Sequence, residues 1–113
     1  MMDVDLPNET EQLVLLALVR LGEDAYGVPI RAEIERRSGR AVSLAAVYAA
    51  LERLELRGQV RSWLSEPMAA RGGRARKHFE ITPMGANAVR EAREAMSRMW
   101  KGLEMHPDLR RRT

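Results

Sequence analysis

With 113 residues, 45% apolar and 31% charged, the chain is sized for one domain that fills a core and solvates its surface, which excludes wholesale disorder. The apolar run from Leu13 to Leu21 is too short to span a bilayer and is broken by Arg20, and Asp3 and Asp5 do not suit a secretory signal, so no membrane association and a cytoplasmic location are expected. A formal net charge of +3, carried mostly by arginine, suits an anionic partner, while zero cysteines exclude disulfides and thiol chemistry, so neither a metal nor another cofactor is expected.

Asn8 and Glu11 have capping-box spacing ahead of the apolar run, and Gly22 stops it, which predicts a first helix. Leu13, Val14, Leu15, Leu16, Leu18 and Val19 cover most of its circumference. One core cannot bury them all, so a second partner surface is implied.

A second helix begins near Gly27, since Pro29 is tolerated only in a first turn, and runs to about Arg37 before Ser38 and Gly39 end it. Ser43 then caps a third helix ending at Gly58. Leu44, Val47, Leu51 and Leu54 form its inward stripe, and the opposite face carries Ala45, Ala46, Ala49 and Arg53.

After Gly58 the pattern alternates, with Val60 and Leu64 on one side and Arg61 and Trp63 on the other. Phe79 and Ile81 alternate with His78 and Glu80 in a second strand, so a hairpin is expected whose tip holds Pro67, Gly72 and Gly73. Thr82 and Pro83 launch a final helix that continues to about Met105, where His106 and Pro107 end it. Val89, Ala92, Met96, Met99 and Leu103 follow coiled-coil spacing along it, over a length of roughly 33 Å.

Three helices and a two-stranded hairpin with a basic tip predict a mainly α fold with a small β-hairpin (α+β), a winged helix-turn-helix with a long C-terminal dimerisation helix. The division expected is a DNA-binding domain over 1–82, the dimerisation helix over 83–106 and a basic tail over 107–113. In such a fold the third helix enters the major groove and the wing follows phosphates or the minor groove.

The small side chains Ala45, Ala46 and Ala49, with Ser43 at the cap, let a helix backbone approach base edges, and alanine methyls can meet thymine methyls. Arg53, one turn after Ala49, reaches a guanine edge or, more simply, a phosphate. Tyr48 sits at the border of the inward stripe, where both core packing and a hydroxyl contact with phosphate are open to it. Arg71, Arg74, Arg76 and Lys77 surround Gly72 and Gly73 and suit a phosphate wall. Leu15 and Val19 of the first helix, with Val89, Ala92, Met96, Met99 and Leu103 of the last, are the expected dimer contacts.

The stretch Ala25-Tyr26-Gly27-Val28-Pro29-Ile30, the segment Ser43 to Leu54 with Val47-Tyr48 inside it, and the run Gly72-Gly73-Arg74-Ala75-Arg76-Lys77-His78-Phe79-Glu80-Ile81-Thr82 together resemble the PadR family of bacterial regulators. Ala49 stands where that family usually has proline, and Val28-Pro29 where an aromatic and an acidic residue are common. The resemblance implies a homodimeric repressor that binds double-stranded DNA and releases it on binding phenolic or other planar hydrophobic compounds. In a multidrug-binding branch an aromatic on the last helix sandwiches the ligand, a role for which Trp100 is the candidate, with Met96 and Met99 as adaptable walls. Simple packing of the dimer seam is the alternative role for these three side chains.

His78 and His106 have no nucleophile or metal-ligand partner at useful spacing, so an enzyme is not expected. The rival reading is a protein-interaction module that binds a partner coiled coil through the final helix, its basic residues serving solubility. The two readings differ in their response to salt, steep for a protein that neutralises several phosphates and flat for an interaction module.

Overall fold

The computed structural model describes residues 6–66, 72 and 75–111. Among these residues four helices and one hairpin follow in the order α1 (Glu9–Leu21), α2 (Gly27–Ser38), α3 (Leu44–Leu56), β1 (Val60–Leu64), β2 (Lys77–Ile81) and α4 (Pro83–Trp100). A single 3-10 turn, Gly22–Asp24, joins α1 to α2.

Three of the four helices, α1, α3 and α4, start at a side-chain cap, whereas Tyr26 at the start of α2 makes no such bond. The Asn8 Oδ1 accepts the Glu11 backbone N–H at 2.9 Å and the Asn8 N–H donates to Glu11 Oε1 at 2.9 Å, the reciprocal pair of a capping box. Ser43 accepts from the Ala46 N–H at 3.0 Å, and Thr82 accepts from the Gly85 N–H at 3.1 Å with Pro83 in the first turn. At the far end of α2 the Ser38 hydroxyl donates to the Ile34 carbonyl at 2.6 Å, which carries the helix one residue past Arg37.

The three-helix core is built from Val14, Leu15 and Leu18 of α1, Ile30 and Ile34 of α2, and Val47, Ala50, Leu51 and Leu54 of α3, all buried. Burial of each large aliphatic side chain contributes about 1.5–3 kcal/mol, so this stripe is the main source of stability. The hairpin closes one side of the core with Val60 and Phe79, both buried.

The antiparallel register pairs Val60 with Ile81, Ser62 with Phe79, and Leu64 with Lys77. Val60, Ser62 and Leu64 therefore share a face, as the alternation predicts. Leu64 is exposed because the strand has by then run past the edge of the core.

The first turn of α4 packs backbone to backbone on the turn between α3 and β1. A Cβ at Gly85 would lie 2.1 Å from the Gln59 carbonyl oxygen, so only glycine permits this approach. Beyond it, the small residues Ala88 and Ala92 are buried and let α4 lie close to α1.

The last helix is shorter than its heptad pattern predicts. It ends at Trp100 rather than near Met105, because Lys101 turns to an extended conformation (φ −53°, ψ 122°) and Gly102 adopts φ 83°. Leu103 consequently falls in a turn, where its N–H donates to the Trp100 carbonyl at 2.8 Å, and it does not continue the seam. The 18 helical residues span roughly 27 Å.

Candidate nucleic-acid interface

One face of α3 remains open to solvent. Ser43, Ala45, Tyr48, Ala49, Glu52, Arg53 and Leu56 are exposed along it, while Ala46 is half-buried. A backbone lined by methyl groups at the N-terminal end of a capped helix can approach the floor of a major groove closely. Glu52 and Leu56 belong to the same face and were absent from the expected contacts, although their helical spacing from Ala45 and Ala49 places them there.

Tyr48 combines both roles open to it. Its ring tilts against Phe79 at 6.4 Å between centroids, and its hydroxyl lies over the first residue of α2, where a Cβ on Gly27 would sit 2.2 Å from the hydroxyl oxygen. The pairing of Tyr48 with a glycine at position 27 is thus steric, and the ring still leaves 44% of the residue exposed.

Arg53 is not a free cation on that face. Its Nε donates to Glu11 Oε2 at 2.7 Å, and the Arg57 Nη2 donates to Glu11 Oε1 at 2.8 Å. Glu11 is buried, and burial pushes its carboxyl up. The hydrogen bonds from Arg53, the Asn8 N–H and Arg57 outweigh that and hold it below the usual carboxylate value. A second buried carboxylate, Glu33, bonds Arg36 and Arg37 on α2. The Arg37 bond does most to keep the Glu33 carboxyl low.

At the root of the wing four flat groups touch in a chain, one pair of them stacked and one edge-on. The Arg76 guanidinium lies 3.9 Å from the centre of the Tyr26 ring, Tyr26 meets His78 edge-on at 5.7 Å, and His78 stacks on Trp63 at 5.5 Å and 17°. His78 Nδ1 is 3.1 Å from the Glu23 carbonyl oxygen, and the Phe79 N–H donates to the Ala25 carbonyl at 2.9 Å. Arg76 is therefore drawn back onto the body, whereas Lys77 is exposed. Arg71 and Arg74 lie outside the described residues.

The expected dimer contacts separate into two sets. Leu15 is fully buried in the protomer's own core and Ala92 is nearly so, which leaves them no surface for a partner. Val19, Met96 and Met99 are exposed, and Leu16 joins them. Between α1 and α4 lies an apolar cleft of about 560 Å³ lined in part by Leu16, Val19, Ile81, Val89 and Met96. Trp100, at the end of α4, is also exposed.

Among the described residues no cluster of His, Asp and Glu is arranged to hold a metal ion. No helix among them is long and apolar enough to cross a membrane.

A capped, small-faced third helix beside a two-stranded wing defines a winged helix-turn-helix protein of the DNA-binding class. Residues 15–91 match the family model described as the Transcriptional regulator PadR-like family, and the chain belongs to that family, whose members are DNA-binding transcriptional regulators and not enzymes. Solved structures share the fold. A transcriptional regulator from Clostridium thermocellum is 24% identical with a TM-score of 0.68, covering 80% of this chain and 85% of its own. A PadR family transcription regulator from Clostridium difficile is 24% identical with a TM-score of 0.67, covering 83% and 92%. A PadR family transcriptional regulator from Eggerthella lenta is 26% identical with a TM-score of 0.64, covering 81% and 78%. No curated protein sequence matches the chain.

Proposed function

We propose that the protein is a ligand-responsive repressor that acts as a homodimer on a palindromic operator. The observation that carries this reading is the open face of α3, where Ser43, Ala45, Tyr48 and Ala49 stand exposed beside the wing. In this reading Ala45, Ala46 and Ala49 meet base edges, while Ser43, Tyr48, Arg53 and the wing residues Arg71, Arg74, Arg76 and Lys77 meet phosphates.

Two copies join through Leu16 and Val19 of α1 and Val89, Met96 and Met99 of α4, with the cleft between these helices receiving the partner. That arrangement sets the two recognition helices about one DNA turn, roughly 34 Å, apart. A planar hydrophobic effector binds where Met96, Met99 and Trp100 of the two copies meet, and release of DNA follows from a change in that spacing.

The test is selection from a random duplex pool followed by titration across salt. Binding that falls roughly a thousandfold between 50 and 200 mM salt, as six or more phosphate contacts require, is the expected result. Arg74→Ala weakens binding to all sequences alike, and substitutions at Ala45 or Ala49 change which sequence is preferred. A flat salt response with no selected sequence refutes the reading and favours a module that binds a partner coiled coil.

A further inference from the structure

Glu11 does more than cap α1. Its side chain is 4% exposed, and its two oxygens accept hydrogen bonds from the Asn8 N–H, from Arg57 Nη2 and from Arg53 Nε. A capping box needs only the first of these. The other two reach across the fold to Arg53 in the last turn of α3 and to Arg57, the residue that caps its end.

The two arginines are held differently. Arg57 turns inward, with its side chain 26% exposed, while that of Arg53 is 46% exposed. Arg53 is gripped by Nε, the inner nitrogen of its guanidinium. Among the described residues its two terminal nitrogens have no partner, so the outer part of the fork is available at the edge of the Ala45 and Ala49 face. An untethered arginine loses much rotamer freedom when it grips a phosphate, and a planar fork already fixed at one nitrogen loses less.

We propose that Glu11 is a positioning residue for DNA binding: its buried carboxylate holds Arg53 by Nε so that the terminal nitrogens meet a backbone phosphate at the rim of the major groove. This rests on the DNA-binding reading above and adds a residue on α1 that touches no DNA. With two guanidinium groups to one carboxylate the cluster keeps a net positive charge, so it still attracts phosphate.

The sign of the effect separates positioning from simple charge. Glu11→Gln keeps the shape and removes a negative charge from beneath the interface, so charge alone predicts tighter binding to any DNA. Positioning predicts weaker binding.

The test is anisotropy titration of the full chain on two labelled duplexes, one selected by the wild-type protein from a random pool and one scrambled. Glu11→Gln is expected to lose about tenfold on both duplexes, since a phosphate contact carries no base information. In an Arg53→Ala background Glu11→Gln is expected to have no further effect, which a capping or folding role would not produce.

Arg53→Lys retains the charge and lacks the Nε grip and the fork, so it is expected to lose as much as Glu11→Gln and carries the test if that variant does not fold. Wild-type affinity in Glu11→Gln or Arg53→Lys, tightening on both duplexes, or additive losses in the double variant would overturn the proposal while leaving DNA binding intact. A wild-type protein that selects no sequence would overturn both.

Discussion

At position 85 a methyl group has nowhere to go. The atom it would meet is the backbone carbonyl oxygen of Gln59, and backbone cannot swing aside as a side chain can. Gly85→Ala should therefore destabilise the fold by about 1–3 kcal/mol, read as a lower urea midpoint with unchanged slope. A midpoint equal to wild type would mean that α4 does not seat this closely. Read in sequence alone, Gly85 is merely a poor helix former in a tolerant first turn. Its reason lies in a contact with Gln59, which no local pattern reports. The opposite holds for Asn8, Ser43 and Thr82, whose capping partners lie three residues away and are legible directly.

Between elements, the clamp from α1 to α3 carries a pH signature. Glu11 titrates below its ordinary value of 4.5 in the folded chain, so its contribution to stability is complete above that pH and is lost as pH falls through the folded value. Glu33 adds in the same direction through Arg37 and Arg36. Urea midpoints measured from pH 7 downward should hold steady until about pH 5 and then fall, and Glu11→Gln should flatten part of that fall. An acid limb of equal steepness in that variant would show that the clamp does not stabilise the fold. The capping box made one half of Glu11 visible in sequence. The other half joins residues 42 and 46 positions apart, a separation that only the packing of α3 on α1 closes. The length of α4 differs from its pattern for a related reason: Leu103 keeps the heptad spacing, while the chain turns at Gly102, where φ is 83°.

For the whole molecule, shape and surface agree. The radius of gyration is 16.7 Å, against about 13 Å for a compact chain of about 100 residues, and the extents are 58 × 42 × 20 Å. Such an outline leaves apolar surface on α1 and α4 that a monomer has no means of covering, with Leu16, Val19, Met96 and Met99 all exposed. Light scattering of the full chain at binding concentrations should return twice the 12.8 kDa protomer mass, and Val19→Glu combined with Met96→Glu should halve it. A wild-type monomer would remove the basis for a paired operator. The leucines and valines around the first helix are legible in sequence as more than one core can bury, and Leu16 and Val19 are indeed left exposed. Which of them the core takes is not legible, because Leu15 and Leu16 are neighbours in sequence and only the docking of α2 and α3 decides between them.

The chain of ring contacts at the base of the hairpin has a mechanical meaning. With Phe79 latched to Ala25, His78 beside the Glu23 carbonyl and Arg76 lying on Tyr26, the ribbon is riveted to the entry of α2 at three points. Force on β2 therefore has a direct route, through these three contacts, into the residues that lead to α2.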